Sequence, residues 1–392
     1  MKKSLNYILS TSGKYHYFEV AKILYKRNQL KKIFCGYPWV KLKNENIPKR
    51  LVDSKSFYNI LRYLIRNNSK LEKISEYLNI LHKKKIDQIT CDYIDKNNDV
   101  DVLLNLAGTS LNAGIKMNNS NKIYICERSS AHILYQNNLL VEEYKDLKIN
   151  KDYVTNNWFV ESEIKEYENA DIILVPSNFV KNTFDKSTFH KIKILNFGTN
   201  IHNFYPNDKI KKDNNYFDIL FIGQKSIRKG LHYLVDAFDK FKHPNKRLHV
   251  IGSDTGDKEF FKKKLKNDNI LIYGHVPQLK LNDIINTCHL FVLPSIEDGY
   301  GLVVLQAASG GCPSIVSENT GAADFVKQNN CGFVVPIRNS DAITKKMELL
   351  SDDKSLLNKI SLNAINGSRN NTWSDYVDKL DLIVEEAMNL RN

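Results

Sequence analysis

His289-Leu-Phe-Val-Leu293, followed by Pro294 to Asp324, PSIEDGYGLVVLQAASGGCPSIVSENTGAAD, is the stretch that decides the fold. Five apolar residues bounded by a polar turn read as a buried strand, and the turn holds Glu297 and Asp298. Gly299-Tyr300-Gly301 then opens an apolar helix from Leu302 onward. A strand, a tight turn and a helix in that order aim backbone N–H groups at an anion. Glycines let the chain approach a ligand closely, and carboxylates ahead of the helix can accept hydrogen bonds from hydroxyls. Asp298 and Gln306 are eight residues apart, which at about 3.6 residues per turn puts both near one helical face. Taken alone, the glycines favour structure, because any doubly wound domain has Gly-rich turns between strands and helices.

Outward from this stretch the same alternation covers the chain. Strands are expected at Leu5 to Ser10, Lys32 to Gly36, Val100 to Leu106, Lys122 to Cys126, Asp171 to Pro176 and Lys191 to Phe197, with helices between them. The polar run from Asn203 to Tyr216 reads as a linker. A second series follows at Phe217 to Gly223, Arg247 to Gly252, Ile270 to His275, His289 to Leu293, Ser314 to Ser317 and Gly332 to Val335. Such alternation predicts α/β architecture with parallel sheets, here two Rossmann-like doubly wound domains facing a cleft. The expected division is residues 1–205, 206–372, and a last amphipathic helix over 373–392.

At 392 residues the chain exceeds one ordinary core, and an apolar fraction of 42% excludes wholesale disorder. Six cysteines without a CxxC pair fit small buried side chains in a reducing compartment. The N-terminus reads as a first strand rather than a signal peptide, and no run approaches the roughly 20 apolar residues of a spanning helix. A cytoplasmic protein is expected, with peripheral contact at the inner membrane face as an option. The net charge of +13 is unevenly spread: residues 1–85 hold 20 lysines and arginines against 5 acids. Such a segment attracts anionic membrane surfaces, nucleic acid or acidic substrates, and a solvated surface is the plain alternative. Lys55 to Lys85 shows helical apolar spacing with basic residues between, a pattern that more often packs on its own domain than on a bilayer.

The run from Asp298 through Gly299-Tyr300-Gly301 to Gln306-Ala307, continued by Gly311-Cys312-Pro313 and Thr320-Gly321, resembles the donor-site signature of family 4 retaining glycosyltransferases. That family usually carries Glu at the positions of Asp298 and Gln306. The resemblance implies the GT-B fold, with the last helix crossing back onto the first domain. It implies a nucleotide-diphosphate sugar donor, a UDP- or GDP-sugar, and a glycan or lipid-linked acceptor in cell-surface polysaccharide synthesis. In Gly223-Gln224-Lys225-Ser226-Ile227-Arg228-Lys229-Gly230 two adjacent cations at a strand-to-helix turn resemble the family's phosphate clamp, with Gln224 where an Arg is usual. Arg228 and Lys229 are then the diphosphate ligands. Solvated helix-start charges are the plain reading of the same residues.

The resemblance further assigns Glu297 and Asp298 to the hexose, amides of Gly299, Tyr300 and Gly301 to the donor, and Gln306 to a ribose. Gly13, in the loop after the first strand, falls where the family has a glycine-rich donor loop. His132, past the strand ending at Cys126, falls where the family places a histidine near the transferred sugar, and Arg128 would contact the acceptor. A lone histidine is otherwise more often a packed one. A front-face mechanism, in which the departing diphosphate takes the acceptor proton, is implied. No cofactor, metal or nucleic-acid partner is expected: no close histidine pair occurs, and Asp99-Val100-Asp101 precedes its strand, the wrong end of a parallel sheet for a ligand. Two rival readings are a degenerate, non-catalytic nucleotide-sugar-binding protein docked on a membrane, and a nucleotide-sugar epimerase.

Overall fold

A computed structural model describes residues 5–65, 69–149, 151, 154–200, 202–369 and 371–391. The first sheet contains β1 (Tyr7–Thr11), β2 (Leu30–Cys35), β3 (Val52–Ser54), β4 (Val102–Leu106), β5 (Ile123–Glu127), β6 (Ile172–Val175) and β7 (Ile192–Ile194), ordered β3-β2-β1-β4-β5-β6-β7. The second contains β8 (Phe217–Ile222), β9 (Lys246–Ile251), β10 (Ile270–Gly274), β11 (Leu290–Leu293), β12 (Ser314–Ser317) and β13 (Gly332–Val335), ordered β10-β9-β8-β11-β12-β13. Every named pairing is parallel. These are two doubly wound α/β domains of the GT-B kind.

Side chains along the first sheet alternate between two apolar layers, as the period of two requires. Tyr7, Leu9, Leu104 and Ile125 pack into one layer, while Ile8, Leu103, Tyr124 and Cys126 pack into the other. Strands covered by helices on both faces read as near-continuous apolar runs, and β8, FDILFI, is buried throughout, its one polar residue Asp218 accepting from Arg247 Nε at 2.6 Å. β3 went unseen in the sequence because it has only three residues, VDS, two of them polar.

The chain passes between domains twice, side by side. Thr199 bridges Thr372, with the Thr199 N–H donating to Asn371 O at 2.7 Å. The polar run expected as linker is anchored to the second domain from Tyr205: its N–H donates to Asn282 Oδ1 and that of Asn207 to Asn286 Oδ1. Thr372 and Asp375 form a capping box that fixes the start of the last helix, Trp373–Asn389. Trp373, Tyr376, Val377, Leu380 and Val384 make its buried stripe, at helical spacing. The helix lies on the first domain against the helix Tyr17–Lys26: Tyr7 donates to Asp381 at 2.6 Å and Arg27 pairs with Asp378 at 2.8 Å. Thus the helix crosses back as expected; Asn392 lies outside the described residues.

Five of the six cysteines are buried and all six are free. Asp101 accepts the Asn6 N–H at 2.9 Å and Asp99 pairs with Lys31, so both serve the entry to β4. The basic region folds as the helices Phe57–Ile65 and Glu72–Lys96, which pack on each other. Residues 1–4 and 66–68 of that region lie outside the described residues.

Candidate functional site

The second sheet changes its winding direction between β8 and β11, the place where an open α/β sheet leaves a crevice at its carboxyl end. Two loops meet there, one carrying Arg228 and Lys229 and the other Glu297 and Asp298. They are tied backbone to backbone, since the Ile296 N–H donates to Arg228 O at 2.9 Å. Gly230 closes the first loop in a left-handed conformation, φ 65°, and a Cβ there would overlap Pro294 O. Any side chain at 230 would drive the two loops apart.

Across this seam the charges pair. Arg228 Nη1 donates to Glu297 Oε2 at 3.1 Å and to Glu297 O at 3.0 Å, and Lys229 Nζ donates to Asp298 Oδ2. Glu297 is fully buried and Asp298 nearly so. Burial alone would raise the Asp298 carboxyl, but the adjacent Lys229 and Arg228 charges outweigh it and hold the group below the usual carboxylate range. The result is a largely buried, preorganised set of two cations and two anions, of which Arg228 keeps the most contact with solvent.

The first domain caps this set with the carboxyl ends of β5 and β6. The Ala131 N–H donates to Glu297 Oε1 at 2.8 Å, and Gln136 Nε2 donates to Oε2 at 2.6 Å. Ser177 Oγ donates to Gly299 O at 2.8 Å. Gly299 lies flush on the Ser129-Ser130 backbone, where a Cβ would overlap Ser129 O. Only glycine permits that approach. Tyr300 is buried, its ring edge-on to Phe197 with centroids 5.3 Å apart, and Gly301 caps the helix Leu302–Ser309 on which Gln306 is half-buried.

Arg228, Lys229, Glu297, Asp298 and Gly299 are therefore brought together, and Arg128 joins them indirectly. Its guanidinium donates to Ala131 O at 2.8 Å, Glu163 Oε2 at 2.8 Å and Gln136 Oε1 at 2.9 Å. It thereby aims Gln136 at Glu297. His132 has a different setting. Its Nδ1 accepts the Leu134 N–H at 3.3 Å as the N-cap of the helix Ile133–Asp146, and its ring lies against Tyr167 and Phe184. Burial, then the Arg128 charge, push its pKa down to about 4, so at neutral pH it is uncharged. A Cβ at Gly13 would meet the Tyr15 ring.

Gln136, Ser177 and Glu163 take part although the sequence assigned them no role. Gln136 meets Glu297 across 161 residues of chain, a separation that leaves no local pattern. The same holds for a second interdomain cluster: Glu143, fully buried, meets His232 Nε2 at 2.9 Å and Arg338 Nε at 2.6 Å. Two cavities, of about 490 and 300 Å³, open in the first domain. Lys83 lines both, and Arg128, Gln136 and Glu163 line the smaller one beside the seam. Among the described residues no group of three or more His, Cys, Asp or Glu is placed to hold a metal ion.

Residues 206–367 match the family model described as glycosyl transferases group 1. The chain is 29% identical over 208 residues to the capsular polysaccharide biosynthesis glycosyltransferase CapM of Staphylococcus aureus, covering 48% of this chain and 52% of that protein. It spans about half the length of the curated relatives it matches. Among solved structures it is similar in fold to sucrose-phosphate synthase from Thermosynechococcus elongatus, with TM-score 0.75 and 15% identity over 98% of this chain and 100% of that one. It is similar also to Anabaena HepE in complex with UDP and glucose, with TM-score 0.69 and 14% identity over 97% and 100%. The match to the group 1 glycosyl transferase model thus spans the Arg228–Glu297 and Lys229–Asp298 pairs, in a chain of GT-B fold.

Proposed function

We propose that the chain is a retaining glycosyltransferase that moves a sugar from a UDP- or GDP-sugar to a hydroxyl of a glycan or lipid-linked acceptor, in cell-surface polysaccharide synthesis. The observation that carries this reading is the pairing of Arg228 and Lys229 with Glu297 and Asp298 at the winding switch of the second sheet. Two partly buried cations held in place by carboxylates suit a leaving diphosphate, whose charge grows as the sugar departs. Donor phosphate oxygens would take up N–H bonds that Glu297 and Asp298 now accept, turning those carboxylates toward the sugar hydroxyls. The amides from Gly299 to Gly301 would face the donor. Gln306, an amide that both donates and accepts, suits ribose hydroxyls.

In the transfer step the bond from the anomeric carbon to the diphosphate oxygen breaks and a bond to the acceptor oxygen forms on the same face. The acceptor proton passes to the departing diphosphate, so the protein mainly orients and stabilises charge. His132 Nε2, the ring nitrogen not used in capping, would face the transferred sugar. The smaller first-domain cavity, whose wall Arg128 braces through Glu163 and Gln136, would receive the acceptor. The part of CapM in capsular polysaccharide biosynthesis and the UDP held by HepE support the acceptor and donor classes. The test is incubation with UDP- and GDP-sugars and glycan or lipid-linked acceptors, with product anomers read by NMR. Transfer with the anomeric configuration kept is expected; a folded, nucleotide-binding protein that neither hydrolyses nor transfers would refute the proposal.

A further inference from the structure

The helix Phe57–Ile65, FYNILRYLI, has no buried residue although most of its side chains are apolar. One face, Tyr58, Leu61 and Ile65, is half-buried toward its own domain. The adjacent face, turned by about 100°, holds Phe57, Ile60 and Leu64, spaced three and seven apart, with exposures of 68%, 44% and 72%. The next helix adds Ile74 and Tyr77, 50% and 60% exposed. Contiguous apolar residues on a soluble surface mark a contact site rather than chance exposure.

Charge selects the occupant. Residues 1–85 carry an excess of 15 positive charges, whereas the rest of the chain is close to neutral. Lys73 stands beside Ile74 and Lys49 and Arg50 occupy a short exposed turn before the first helix. Exposed apolar side chains within so strongly cationic a segment fit the boundary between anionic headgroups and acyl chains, although Glu72 and Glu76 stand beside Ile74 and Tyr77 as Lys73 does. No helix among the described residues is long and apolar enough to cross a membrane, so the contact would lie in the surface plane.

We propose that the hairpin of helices Phe57–Ile65 and Glu72–Lys96 docks the chain on an anionic lipid surface, inserting Phe57, Ile60, Leu64, Ile74 and Tyr77. The placement has a consequence for the neighbouring cavity. Glu76, Asn79 and Lys83 of the same helix line the cavity of about 300 Å³, and Tyr77 to Lys83 spans about 9 Å at about 1.5 Å per residue. A docked hairpin holds that cavity close to the bilayer surface. The docking itself stands whichever donor or acceptor the chain uses.

The test is co-sedimentation with vesicles of phosphatidylglycerol and phosphatidylcholine, and with phosphatidylcholine alone, for the full chain and a Phe57→Glu, Leu64→Glu variant. Thermal melting and UDP binding serve as folding controls; both positions are exposed, and a Phe57→Ser, Leu64→Ser variant replaces the charged one if melting shifts. The expected result is binding of the full chain to the anionic vesicles, weakened by salt, and a loss of at least about tenfold in the variant. Three results would overturn the proposal: full chain left in the supernatant with anionic vesicles, a variant that sediments like the full chain, or a dimer through this face, lost in the variant, without vesicle binding.

Discussion

The two domains each bury a cluster of opposite charges at the carboxyl end of a parallel sheet, but they assemble it in different ways. In the second domain Arg228 and Lys229 are adjacent in sequence, as are Glu297 and Asp298, and two loops bring the pairs together. In the first domain Lys83, Arg128, Glu163 and Glu166 come from three separate elements, and Glu166 accepts the Gly108 N–H and, at 2.9 Å, the Ser110 N–H. Short loops at a winding switch can exchange partners for a ligand. Charges spread over helices and strands cannot do so without disturbing packing, so the first cluster should govern stability and the second chemistry.

The most severe test of that contrast is Arg128→Met. It leaves Glu163 buried without its 2.8 Å cation and releases Gln136, so a loss of about 3–5 kcal/mol in unfolding free energy is expected by denaturant titration. If stability were unchanged, the first cluster would not be structural. Lys229→Gln should do the opposite: turnover falls about 10²–10³-fold, a barrier increase of about 3–4 kcal/mol, with a smaller change in melting. Steady-state kinetics at saturating donor check this, and wild-type turnover would remove Lys229 from the donor site. Gly299→Ala forces a Cβ onto Ser129 O and should open the seam, lowering turnover by about tenfold or more while each domain keeps its fold. Small-angle scattering would report the separation.

The smallest effect concerns pH. Burial and Arg128 depress the His132 pKa to about 4, against an ordinary value of about 6.5. The unfolded chain therefore binds a proton as pH falls through about 6.5 while the folded chain does not, so this histidine's contribution is present above that value and lost between about 6.5 and 4. His132→Asn preserves an N-cap acceptor for Leu134 and should flatten unfolding free energy against pH in that window, by about 1 kcal/mol after screening at this half-buried ring, as read by denaturant titration at each pH. The same variant asks whether the imidazole matters to the reaction beyond capping.

What the sequence made legible follows from the same contrast. The strands of both sheets other than β3 stood out because chain covered on both faces is mostly apolar for several residues at a time, as in YILST and FDILFI. The paired charges of the second domain were legible because each pair is contiguous and sits after a strand. Gln136, Glu163 and Glu143 were not, since their partners lie across 161, 35 and 89 residues and nothing local marks a side chain that will be buried against them. The helix-capping of His132 was within reach, because it directly precedes the apolar start of a helix; reading it only as a lone histidine after a strand hid that role.

Calorimetric titration of UDP and GDP into the full chain and into an Arg228→Ala, Lys229→Ala variant decides whether these two cations hold a donor diphosphate. One of the two nucleotides should bind the full chain and the variant should lose at least about tenfold in affinity, with binding that weakens as salt rises. Binding of equal strength in both proteins, or none to the folded full chain, would contradict that role.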